Sequence, residues 1–165
     1  MKHPLPLLVL TTFFLFFFVS CSSNDTVFET SVEVPSATWL RFEPLQFTVD
    51  VPNAEDCYEL HLALDIDTLR YRESALPLTL SVVSPEGETR TLYTTMMLRS
   101  KEGHSLGQPD KDGHLVFPQR IREYFYFNQK GTHTVTVGQR TSRFEIKGIH
   151  RIDFSIRKAK LELPK

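Results

Sequence analysis

Two cysteines, Cys21 and Cys57, are all that 165 residues contain, so at most one disulfide can form and a Cys-x-x-Cys metal or redox motif is absent. Charge of one sign is also missing. Nineteen lysines and arginines stand against twenty aspartates and glutamates, with no basic stripe and no acidic tail, so a nucleic-acid partner is not expected. The chain has no HExxH, no phosphate-binding Walker loop and no dinucleotide fingerprint, which removes the short motifs that point to zinc-protease, nucleotide or dinucleotide-cofactor chemistry. Long apolar runs are limited to one, Leu5 to Val19, interrupted by Pro6 and Thr11-Thr12 and shorter than the roughly 20 residues that cross a bilayer as a helix.

That run follows Met1-Lys2-His3 and has the form of a secretory leader. It ends in Phe18-Val19-Ser20-Cys21, which resembles the bacterial lipobox with Phe18 in place of the usual leucine. The resemblance implies cleavage before Cys21, lipid (diacylglyceryl and an N-acyl chain such as palmitate) on that residue, and membrane attachment through it. Anchoring by more than one chain is what stable attachment requires. The expected organisation is a lipoprotein signal peptide at 1–20, a lipidated N-terminus and short polar tether at 21–30, and one β domain at 31–165. With Cys21 lipidated, Cys57 has no partner in the chain, and the domain depends on its core. Cys57 reads as a small semi-buried strand residue. His61 lies about 13 Å along an extended strand from it, too far to act as its base.

Period-two alternation of apolar and polar residues dominates the rest. Phe47, Val49 and Val51 form one strand. Tyr58, Leu60, Leu62, Leu64 and Ile66 form a longer one, expected to be central. Leu78, Leu80 and Val82, the turn Ser84-Pro85-Glu86-Gly87, and the return over Arg90 to Leu98 predict a hairpin. Leu115-Val116-Phe117 is a short run closed by Pro118. The aromatic stretch Tyr124-Phe125-Tyr126-Phe127, the turn at Asn128 to Gly131, and His133, Val135 and Val137 predict a second hairpin. Phe144 and Ile146, then Ile152, Phe154 and Ile156 beyond Gly148, close the domain, and the apolar parity then shifts to Leu161 and Leu163. No helix of three turns is indicated. The expected fold is all-β, an antiparallel β-sandwich of about eight strands, jelly-roll-like, with a closed β-barrel as the alternative.

Candidate sites are few. Residues 100–114 lose the alternation, and loops of that length are often either functional or mobile. They hold His104, Asp110, Asp112 and His114, a thin likeness to a cation loop that lacks the acidic residue an EF-hand needs, so no metal is expected there. Asp65 and Asp67 share a strand parity and read as solvated charges at a strand end. Of the aromatic stretch, one parity is expected in the core and the other is either covered or offered to a partner. Trp39, Tyr124, Tyr126 and His104 are the candidate recognition surface. No catalytic, cofactor-binding or metal residue is assigned, and an enzyme is not expected.

Taken together the residues resemble the gliding-motility lipoprotein H family (GldH) of Bacteroidota. The resemblance is carried by the leader through Cys21, Trp39, Phe47-Thr48-Val49-Asp50, Tyr58 with Leu60, Leu62 and Leu64, Tyr71-Arg72, Gly131-Thr132-His133-Thr134-Val135, and Phe144-Glu145-Ile146-Lys147-Gly148-Ile149. Glu73-Ser74-Ala75-Leu76 stands where the family often has Asn-Leu, and Gly103-His104-Ser105-Leu106-Gly107 lacks the aromatic residue usual in its glycine-bracketed loop. The resemblance implies a lipid-anchored envelope protein, held at the outer membrane and facing the periplasm. It would support gliding motility or the associated secretion and envelope machinery through protein contacts, with no catalytic residues and no cofactor. A glycan-binding module of a carbohydrate-uptake system is the alternative, and the oligomeric state is left open.

Overall fold

In the computed structural model, residues 25–160 are described. They form β1 (Thr26–Glu33), β2 (Thr38–Leu40), β3 (Leu45–Val51), β4 (Tyr58–Ile66), β5 (Ala75–Val83), β6 (Thr89–Met97), β7 (Gln108–Pro109), β8 (Leu115–Phe125), β9 (Gly131–Gln139), β10 (Glu145–Lys147) and β11 (Ile149–Lys158). Eight of these have seven residues or more, and β2, β7 and β10 are short. Among the described residues there is no α-helix, only a 3-10 turn at Pro35–Ala37. β1 begins at Thr26, so the ordered sheet takes in residues 26–30, which the sequence assigned to a tether.

Alternation decides which face each strand buries. β4 turns Tyr58, Leu60, Leu62, Leu64 and Ile66 inward, and β5 does the same with Leu76, Leu78, Leu80 and Val82. Every strand pair is antiparallel. One sheet has the order β1-β11-β4-β8-β7, with β4 central as expected, and the other β3-β9-β5-β6; neither closes into a barrel. Their inner faces meet in one core, where Phe47 of one sheet stacks on Phe154 of the other at 5.2 Å. Full burial of each such side chain contributes about 1.5–3 kcal/mol. The β2–β10 ribbon closes one end of the core, pairing Trp39 with Ile146, both buried.

The β5–β6 hairpin forms with Val83 opposite Thr89. The second expected hairpin does not. β8 belongs to the five-stranded sheet and β9 to the four-stranded one, so residues 126–130 carry the chain across the sandwich. Phe125 and Phe127 are the reason: both are buried, packed T-shaped at 4.8 Å, and Phe127 also meets Tyr58 and His133, so the aromatic stretch plugs the gap between sheets. β8 also runs through Pro118 instead of stopping there. β7 covers only Leu115 and Val116, and beyond them β8 is an edge strand, where a proline is tolerated.

The registers fix the two ends. Thr26, Arg157, Glu59 and the Tyr58–Phe125 pair lie side by side at one end of the five-stranded sheet. Ile66, Ile149 and Leu115 lie at the other, together with the 110–114 turn.

Candidate functional site

The outer face of the five-stranded sheet carries the polar residues of β4 and β11. Toward one end of it, Glu59 accepts from Arg120 at 2.9 Å and lies 2.9 Å from His61 Nε2. Burial pushes the Glu59 carboxyl upward, but the hydrogen bonds from His61 and Arg120 outweigh it and hold the group below its ordinary value of 4.5. A shallow polar depression of about 390 Å³ runs beside this pair, bordered by Ser31, His61, Gln119 and Asp153.

Toward the far end of the same face, Asp65 is opposite Arg151 on β11 and Val116 on β8. It is not a solvated strand-end charge: it is only 6% exposed, covered by the residues around the 110–114 turn. Its Oδ1 lies 3.2 Å from His114 Nδ1 and its Oδ2 3.8 Å from the Arg151 guanidinium. Asp110 Oδ1 accepts the backbone N–H groups of Asp112 and His114 at 2.9 and 2.8 Å, and Gly113, at φ +81°, makes the turn. Burial of the Asp110 carboxyl works to raise its pKa, and these N–H donors and the nearby imidazole bring it down below the ordinary aspartate value. The His114 ring stacks on His150 at 4.0 Å. Ligand atoms of Asp65, Asp110 and His114 lie within 4.8 Å of one another. His104 and Asp112 stay outside this group.

The residues named as a recognition surface divide. Trp39 is 2% exposed and donates its indole N–H to the Glu43 carbonyl at 3.1 Å, so it is a core residue and leaves the surface set. It lies between Pro35 and Pro44 in sequence, where the β2–β10 ribbon closes an end of the core. Tyr124 and Tyr126 are 54% and 49% exposed, at the same end of the sandwich as Thr26. His104 is exposed in a tight turn closed by the Ser100 N–H to His104 carbonyl bond. Cys57 is buried as a free thiol beside the start of β4. Cys21, Leu161 and Leu163 lie outside the described residues, so the lipidation assignment and the parity shift at the tail are not addressed by the fold.

One feature escaped the sequence. Phe42 and Phe144, 73% and 63% exposed, form a tilted pair at 6.0 Å beside the β2–β10 ribbon, and the Arg41 guanidinium lies 5.7 Å from the Phe42 ring. Phe144 shares parity with buried Ile146, which reads as an inward position; the ribbon ends at Glu145 and turns it out.

These features define a class: an antiparallel β-sandwich with open sheet edges, an exposed aromatic pair and one buried polar cluster. Residues 26–156 match the GldH lipoprotein family, and the chain belongs to it. Membership makes it a lipid-anchored protein of the cell envelope. Among the described residues no helix is long and apolar enough to cross a membrane. Comparison with curated proteins gives no match.

Proposed function

We propose that the protein is a non-enzymatic accessory lipoprotein that supports gliding motility, or the secretion and envelope machinery associated with it, by protein contacts. Family membership over residues 26–156 is the observation that carries this reading. Lipid on Cys21 holds the domain to the membrane, at the outer membrane and facing the periplasm, and no cofactor is needed. The Phe42–Phe144 pair supplies a contact of the right chemistry, since exposed aromatics flanked by arginine are enriched where proteins bind one another.

The test is affinity purification of the crosslinked native protein from its own envelopes, beside Cys21→Ala and a Phe42→Ser/Phe144→Ser double variant. Enrichment of motility or secretion proteins that is lost with the anchor supports the reading, and its loss in the double variant locates the contact. Retention of envelope glycans without any protein would replace it with the glycan-binding alternative, in which Tyr124 and Tyr126 are the stacking candidates.

A further inference from the structure

We propose that Asp65, Asp110 and His114 bind a single Zn²⁺ ion where the 110–114 turn folds over the outer face of the five-stranded sheet. The three residues come from β4, from the turn after β7, and from the residue preceding β8, and they offer two carboxylate oxygens and one imidazole nitrogen within 4.8 Å of one another. Zinc takes such ligands at about 2.0–2.2 Å in a tetrahedron, which places ligand atoms about 3.2–3.6 Å apart. The Asp65 Oδ1 to His114 Nδ1 distance of 3.2 Å has that spacing.

Asp65 points to a ligand independently of the clustering. It is more than nine-tenths buried, and its Oδ1, the atom facing His114, has no hydrogen-bond partner. A buried carboxylate oxygen without a donor is costly and uncommon in a folded protein. The 3.2 Å approach to His114 does not cure this, because it lacks the geometry of a hydrogen bond, whereas two ligands of one cation meet in just this way.

Charge agrees. Asp65 and Asp153 share the Arg151 guanidinium, which lies 3.8 Å from Asp65 Oδ2 and 3.2 Å from Asp153 Oδ1, and Asp110 adds a third carboxylate beside Asp65. A dication brings that sum to zero. The groups behind the ligands are in place: Asp110 Oδ1 is held by two backbone N–H groups, which leaves Oδ2 for a cation, and the His114 ring stacks on His150. The imidazole and the small number of oxygens favour zinc over calcium or magnesium, which seek six or more oxygen ligands or several waters. Three protein ligands leave a fourth position for water or for a side chain from a partner.

Isothermal titration of the untagged lipidated protein in detergent, after chelator treatment, tests the proposal with ZnCl₂ and with MgCl₂ as the comparison. One equivalent of zinc should bind saturably and magnesium should not. His114→Ala and Asp110→Asn, each at a half-exposed residue, should weaken zinc binding by about 100-fold or more, since even supporting residues around a metal cost 10–100-fold. His104→Ala and Asp112→Asn should leave it unchanged, and zinc should raise the melting temperature of the wild type but not of His114→Ala. Absence of saturable zinc binding by the folded wild type, or equal affinity in His114→Ala, would overturn the site. Neither result touches the accessory role, which is read from crosslinked partners.

Discussion

The ring of Phe127 meets that of His133 edge-on, with 4.9 Å between centroids, at the point where the chain leaves the five-stranded sheet for the four-stranded one. Phe127 also packs on Phe125 and Tyr58, so this ring binds the two sheets at one end. Phe127→Ala should therefore cost about 3–5 kcal/mol, read from the midpoint of urea denaturation. A loss under 1 kcal/mol would mean that the crossover does not depend on this ring.

Trp39 is the chain's one tryptophan, buried and hydrogen-bonded to a carbonyl. Its fluorescence should be blue-shifted and poorly quenched by acrylamide in the folded protein, and both properties should change in one step on unfolding. An emission maximum typical of water before unfolding would contradict the β2–β10 cover.

Gly148 sits between β10 and β11 at φ +91°, and a Cβ there would lie 2.8 Å from the Asp67 carbonyl oxygen and 2.8 Å from Arg70 Cβ. Backbone conformation and space both oppose a side chain. Gly148→Ala should destabilise by more than about 1 kcal/mol, whereas Gly87→Ala, in open space at a similar φ, should pay only the conformational part. Thermal melts of the two variants make the comparison.

Glu59 has a folded-state pKa below its ordinary value of 4.5. The unfolded chain therefore binds its proton first as the solution is acidified. The stabilisation is fully present above about pH 4.5 and is lost as the pH falls below that value through the folded pKa. Glu59→Gln should flatten this part of the stability profile, measured by denaturant titrations between pH 6 and 3 on the scale of about one such group. An unchanged slope would show that Arg120 and His61 do not favour the ionised form.

Much of the sandwich could be read from parity alone. The five inward residues of β4 and the β5–β6 turn follow from alternation and turn chemistry, because one buried face per strand is what a two-layer sheet requires. Parity says which face a residue takes but not which sheet its strand joins. That is why the Tyr124–Phe127 stretch and His133 suggested a hairpin where the chain in fact crosses between layers. The polar cluster was hidden for a similar reason. Asp110 and His114 stood out in a loop without periodicity, but Asp65 lies 45 residues earlier at an outward position, and only the fold of the turn over β4 buries it.

The Lys158 N–H donates to the Asp25 carbonyl at 2.7 Å, fastening the first described residue to the end of β11. Only Ser22, Ser23 and Asn24 separate that residue from Cys21, a contour of at most about 14 Å over four Cα steps. With lipid on Cys21, as proposed above, this leash would be less than half as long as β11, which at ten residues spans about 33 Å. In that arrangement Tyr124 and Tyr126 would lie on the membrane side, and the 110–114 turn at the opposite end of the sandwich. Held so closely, the domain would explore a thin slab above the bilayer instead of a volume. A partner embedded in the same membrane would meet it at a raised local concentration, while one fixed farther away would have to come to it.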